Sequence, residues 1–170
     1  MRRRWPVVLL GSLWLIASAG CGPQPNLEKD LKLEPTMTGY RDGGISASKL
    51  NRILPSITFQ LRNIGTLPIT NVDLVLDFWQ DGADGESDSK QIRGIRSTAL
   101  EPSATSETIT VQSTVGYSGE GARKDMFDNS LYKPFKVKVF AKRGGKTTKL
   151  GEFPIEARLL PAVSKDGSHP

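Results

Sequence analysis

The chain has 170 residues, enough for one ordinary domain that buries its own core. Its formal charge of +5 falls to +2 once residues 1–20 are set aside, because that stretch holds three arginines and no acid, so the remainder is nearly balanced and nucleic acid is not the partner its charge points to. With one cysteine, Cys21, and one histidine, His169, the composition excludes an intrachain disulfide, a zinc site built from His and Cys, and Ser-His-Asp or Cys-His catalysis within the domain.

The chain opens "MRRRWPVVLLGSLWLIASAGCG". Arg2, Arg3 and Arg4 precede an apolar run, Trp5 to Ala17, broken only by Gly11 and Ser12. That run is shorter than the roughly 20 residues of a membrane span and closes on small residues, which is the layout of a secretory signal over 1–20. Ser18-Ala19-Gly20-Cys21 resembles the bacterial lipobox, with Ser18 where leucine is usual. The resemblance implies that Cys21 is acylated, palmitate-type chains included, and becomes the first residue of the mature protein. Ala17-Ser18-Ala19 also fits the A-x-A site of ordinary signal peptidase, so two cleavages stay open. An unpaired thiol in an oxidising compartment favours the reading that consumes it. Residues 21–30 then read as a lipidated N-terminus and tether, and several acyl chains would hold the domain stably at a membrane.

From residue 31 the apolar period is two, the period of half-buried antiparallel strands. Leu31 to Met37 forms a first candidate strand. In "ITFQLRN", Ile57, Phe59 and Leu61 share a face opposite Thr58, Gln60 and Arg62. In "TNVDLVLDFW", Val72, Leu74, Leu76 and Phe78 point inward and Asn71, Asp73 and Asp77 outward. Gln91 to Thr98 is a short candidate. "ETITVQSTV" directs Ile109, Val111 and Val115 inward. The last pair sets Phe135, Val137, Val139 and Ala141 against Phe153, Ile155, Ala157 and Leu159.

A two-residue Gly144-Gly145 turn between those last strands would pair odd with even positions and send one apolar set outward. A three-residue loop, Arg143-Gly144-Gly145 with Gly145 left-handed, keeps both sets inward and is the expected connection. It also brings Lys136 and Lys138 near Glu152 and Glu156 as a solvated charged face. Pro154 lacks a ladder donor and marks its strand as an edge, or as bulged there. Residues 121–132 read as a helical turn or two presenting Met126, Phe127 and Leu131 to the core, and 161–170 as a frayed tail.

About seven short strands separated by turns define an all-β, immunoglobulin-like antiparallel sandwich over residues 31–160. "ITFQLRNIGTLPITNVDLVLDF", Ile57 to Phe78, and "ALEPSATSETITV", Ala99 to Val111, resemble bacterial immunoglobulin-like domains of the CARDB and FxLYD kind. Those families show Asn-x-Gly at a strand end, Pro-Ile entering the next strand and L-x-P-G-x-S before a later one; Ser103 replaces the glycine of the last. The resemblance implies an envelope or surface module without catalysis.

The acidic stretch Gln80 to Lys90 holds Asp81, Asp84, Glu86 and Asp88, whose oxygens suit a hard cation such as Ca²⁺, although Ala83 breaks the EF-hand pattern. Otherwise it is a flexible acidic loop. Trp79 precedes it on the face opposite Phe78, either as an exposed contact platform or, the commoner arrangement, as a cover for the sandwich edge. No phosphate-cradling loop occurs, and the composition leaves only a pair of facing carboxylates as hydrolytic machinery. The expected protein is therefore a non-enzymatic envelope lipoprotein without a required cofactor, its sandwich binding another envelope protein and its anchor in a bacterial membrane, the outer membrane facing the periplasm in a two-membrane cell. The alternative is a calcium- or carbohydrate-binding module that uses the 80–90 loop and Trp79.

Overall fold

A computed structural model describes residues 23–161; Cys21, the signal layout of 1–20 and the tail beyond 161, with His169, lie outside the described residues. The described chain runs through a turn of helix, α1 (Leu27–Asp30), then β1 (Leu31–Ile45), β2 (Asn51–Asn63), β3 (Val72–Gln80), β4 (Asp88–Ile95), β5 (Ile109–Gln112), β6 (Tyr117–Gly119), a 3-10 helix (Arg123–Asp128), β7 (Phe135–Arg143) and β8 (Lys146–Pro154). β1 pairs β2, which pairs β5 and β6; the second sheet has the order β4-β3-β7-β8, and every ladder between these strands is antiparallel. This is the expected all-β sandwich.

The core follows from alternation. Ile53, Ile57, Phe59 and Leu61 of β2 meet Val72, Leu74, Leu76 and Phe78 of β3 and Val137, Val139 and Ala141 of β7, all fully buried. β-branched and aromatic residues suit these positions because their stiff side chains pack well on a pleated surface.

β5 and β6 are two pieces of one edge strand, which is why eight strands stand where about seven are expected. Pro55 is the cause. Its carbonyl accepts the Ser113 N–H at 2.9 Å, so its missing donor faces the same neighbour and the ladder lapses there. Four residues, 113–116, then stand opposite two, with Ser56 paired to Gln112 but Ile53 to Tyr117. The extra residues turn Val115 out to 42% exposure, against the inward place its spacing predicts.

The β7–β8 connection corrects the loop expectation. Arg143 pairs with Lys146 across a two-residue turn, and Gly144, not Gly145, takes the left-handed φ of +58°. The odd residue that parity demands sits instead in a bulge at Leu150: Val139 pairs with Gly151 but Phe140 with Lys149. Val137 therefore still faces Phe153. Beyond Pro154 the strand ends, so Ala157 and Leu159 are exposed rather than inward. The chain crosses to the other sheet, where the Tyr40 N–H donates to Arg158 O at 2.8 Å, the Leu160 N–H donates to Tyr40 O at 2.7 Å, and Leu160 is buried. Gly39 permits this close passage; a Cβ there would stand 2.8 Å from Leu160 Cδ2 and 2.9 Å from the Arg158 carbonyl. β8 is an edge strand of its own sheet, as Pro154 indicates.

Leu131, expected in the core, is 80% exposed. The Asn129 side chain accepts the Leu131 N–H at 2.9 Å in an Asx turn that directs Leu131 out and Tyr132 inward, onto Tyr40 and Phe127. Met126 is buried and Phe127 packs beside it, as expected. The Tyr132 hydroxyl donates to that of Tyr40 at 3.1 Å, and burial raises the Tyr40 phenol well above its ordinary range. At the other end, part of the segment read as tether is structured: α1 is capped by the Asn26 side chain and buries Leu27.

Asn63, fully buried, organises the loops at that same end. Its Nδ2 donates to the carbonyls of Leu67 at 2.9 Å and Leu100 at 2.8 Å, and its Oδ1 accepts the Gly65 N–H at 3.0 Å. The backbone of Asn63 meets Ser103 and Ala104. Ser103 keeps the turn despite lacking the usual glycine, at a left-handed φ of +66°. That conformation costs an L-residue about 1–2 kcal/mol, against about 0.5–1 kcal/mol of chain entropy for glycine. Ser103→Gly is accordingly expected to raise the thermal midpoint by about 1–2 °C, read by calorimetry; a lowered midpoint would mean that the serine side chain holds the turn.

Candidate functional site

Alternation that fills the core from one face of β3 necessarily presents Asp73, Val75, Asp77 and Trp79 on the other. Opposite them on β7 stand Lys142, Phe140, Lys138 and Lys136, in the register Val75 to Phe140, Asp77 to Lys138 and Trp79 to Lys136. β3 lies between β4 and β7, so Trp79 does not cover a sandwich edge; it is half-buried on the outward face of an interior strand. The Lys138 ammonium, one diagonal step away, sits 3.7 Å from the centre of the indole ring. Val75 and Phe140, also half-buried, continue an apolar strip along the two strands.

Charged groups frame that strip. Asp77 Oδ1 accepts from Ser89 Oγ at 2.6 Å, and Asp73 Oδ1 from Arg93 Nε at 3.2 Å. Glu152 bridges Lys149 at 2.8 Å and Lys136 at 2.9 Å, and donation from Lys149 and then Lys136 lowers its carboxyl to about 2. The expected pairing of the lysine stripe with Glu152 thus holds for Lys136. Lys138 turns instead to Trp79, and Glu156 pairs with Arg158 at 2.9 Å.

The four acids read as possible cation ligands are not brought together. Asp81, Asp84 and Glu86 are exposed in the β3–β4 connection, whereas Asp88 is the first residue of β4 and pairs with inward-facing Phe78. Its Oδ2 accepts the Ser113 hydroxyl at 2.7 Å, the Thr114 N–H at 2.7 Å and the Thr114 hydroxyl at 3.0 Å, with Lys90 Nζ at 3.3 Å. Among the described residues no group of three or more His, Cys, Asp or Glu is placed to hold a metal. Sequence spacing grouped Asp88 with its loop neighbours; its bonds to Ser113 and Thr114, just past β5 on the other sheet, are long-range contacts that spacing does not carry.

This carboxylate clamps one sheet to the other. Desolvation pushes the Asp88 carboxyl up, but the Thr114 N–H, the Ser113 and Thr114 hydroxyls and Lys90 outweigh it and hold the group at about 2.

No protein-family profile matches the chain, and no curated protein matches it. Among solved structures, the X-ray structure of Northeast Structural Genomics Consortium target SoR45 is similar to it at 13% identity, over 85% of this chain and 100% of that one, with a TM-score of 0.46.

A carboxyl whose folded value is depressed stabilises the fold above its unfolded value, near 4, and loses that contribution as pH falls toward 2. Asp88→Asn is expected to cost about 2 kcal/mol at neutral pH, a fall of roughly 5 °C in thermal midpoint, and to flatten the loss of stability that the natural protein undergoes between about pH 4 and 2. Melting curves at pH 7, 4 and 2 check this; an equal pH dependence in both proteins would contradict the clamp.

Proposed function

We propose that this chain is a non-enzymatic lipoprotein of the bacterial envelope, acylated on Cys21, whose immunoglobulin-like sandwich binds another envelope protein. The observation that carries the binding half of this reading is the strip Val75, Phe140 and Trp79, left half-buried on a solvent-facing sheet with Lys136, Lys138 and Glu152 around it. Interfaces favour such a composition, aromatic anchors in a polar rim, because desolvating a large rigid ring contributes binding energy at little conformational cost.

The anchor half rests on the N-terminal sequence, three arginines, an apolar run and Ser18 to Cys21. Among the described residues no helix is long and apolar enough to cross a membrane, so a lipid at Cys21 would be the means of attachment. The likeness to CARDB and FxLYD domains gains support from Asn63, since the residues that carry it, Asn63 with Gly65 and Leu100 to Ala104, meet there through hydrogen bonds.

Two measurements test the halves separately. Intact mass after membrane extraction is expected to give a chain starting at an acylated Cys21; a chain starting at Gly20 with a free thiol would defeat the anchor. A photo-crosslinking residue at position 140 or 75 is expected to give a discrete adduct in the native envelope, and one at Gln60 or Arg62, on the outer face of the other sheet, is not. Equal adducts from both sheets would remove the strip as the contact. Trp79→Ala should weaken the adduct from position 140 at least several-fold, as loss of a hot-spot aromatic does.

A further inference from the structure

We propose that the end of the sandwich beside α1 docks on the headgroups of anionic phospholipids. The proposal takes its reach from the lipoprotein reading and its chemistry from the domain's own side chains. Arg143 Nη2 donates to Gln24 Oε1 at 2.9 Å, fastening the β7–β8 turn to the segment that leads into α1. Gln24 follows Cys21 by three residues, so the two Cα atoms lie within about 11 Å whatever the backbone between them does. An acyl chain on Cys21 would therefore bring this turn to the bilayer surface. Between residues 24–27 and the turn lies an open notch of about 390 Å³, lined by Arg143, Gly144 and Lys146 on one side.

Lys32, Lys136 and Lys149 each stand on a carboxylate at 2.8–3.0 Å, whereas Lys29, Lys142, Arg143 and Lys146 make no ion pair among the described residues. Against these four cations α1 carries Glu28 and Asp30, the latter accepting the Asn26 N–H at 2.7 Å, so α1 and the turn together keep a net charge of +2, with Glu101 and Glu107 on the β4–β5 connection of the same end balanced in part by Arg96. Beside α1, the Ile64 N–H donates to Asp30 O at 2.7 Å and its side chain is 55% exposed. An exposed aliphatic beside α1, with cations on that helix and on the β7–β8 turn, is the combination that anionic membranes attract, the charge acting within a Debye length of about 8 Å and the apolar group entering the boundary.

The opposite end carries the opposite charge. Asp81, Asp84, Glu86, Glu120, Asp125 and Asp128 occupy its loops without ion pairs among the described residues, against Lys49, Arg52, Lys124 and Lys133. An anionic surface therefore attracts the patch of α1 and the β7–β8 turn and repels the loops of the opposite end, which sets the domain upright on its tether with those acidic loops outward.

Lysine acetylation footprinting of the full membrane-extracted protein, reconstituted in vesicles of phosphatidylcholine alone or with about one-third phosphatidylglycerol, tests this. Lys29, Lys142 and Lys146 are expected to react about three-fold more slowly in the anionic vesicles while Lys124 and Lys133 react equally in both. Arg143→Glu with Lys146→Glu, both on the turn, should abolish the difference at Lys29 and Lys142 while Lys124 and Lys133, which report the fold of the opposite end, keep the rates of the natural protein. Equal rates in the two vesicles would overturn the proposal, as would protection that survives the double substitution. Intact mass on the same sample keeps the two readings apart. A lipid on Cys21 with equal rates defeats the docking surface alone, and composition-dependent protection in an unacylated chain defeats the anchor alone.

Discussion

One buried carboxamide sets the geometry on which the β2–β3 and β4–β5 connections depend. Asn63 ends β2 and has three hydrogen bonds to backbone groups of its own turn and of the β4–β5 connection. A buried amide left unpaired costs more than one hydrogen bond contributes, so each of these loops is held by the requirement that Asn63 be satisfied. With Asn63 in place, Ile69 and Leu100 exchange backbone bonds at 2.8 and 3.1 Å, and Ser103 must take its left-handed turn. The end of the sandwich that receives α1 is thereby a fixed platform rather than a set of independent loops.

The other end is fastened by charge instead of an amide. Asp88 gathers donors from β5's end and from Lys90, joining the free edge strand of one sheet to the free edge strand of the other. Where the sandwich could open along β4 and β5, a carboxylate with a full set of donors holds it, and the opposite flank is held by the C-terminal segment crossing onto β1. Unpaired strand edges invite association with other chains, and on the β1 flank this crossing covers part of one such edge.

Period-two alternation made the inward faces of β2, β3 and β7 legible in the sequence, because one face of each takes apolar side chains into the core and the other carries polar or partly exposed ones. Parity made the need for an odd residue in the last hairpin legible too, but not its location, since a loop and a bulge satisfy the same count. Val115, Leu131, Ala157 and Leu159 mislead for a common reason. Each follows a local break, at Pro55 across the ladder, at Asn129 or at Pro154, after which the period that placed it inward, helical for Leu131 and alternating for the others, no longer applies. At the candidate site, Trp79 was visible as an outward aromatic, whereas its cover by Lys138 and the removal of Asp88 from the acidic loop are consequences of strand pairing. The unpaired cations of the β7–β8 turn carry no motif. They stand out only when every other lysine near them is seen to have a partner.

The crossing of the chain from β8 to β1 has a mechanical meaning. β1 leaves the α1 end and the segment around Leu159 runs parallel to it through one bridge at Tyr40, so Gln24 and Pro161 lie toward opposite ends of two adjacent parallel segments. The bonds between them, Tyr40 N–H to Arg158 O, Leu160 N–H to Tyr40 O and the Arg158 side chain to Thr38 O, lie across the line joining those ends. Tension applied between the amino and carboxyl ends of the domain would be shared by these bonds at once, in shear, instead of reaching them one after another as in an unzipping hairpin.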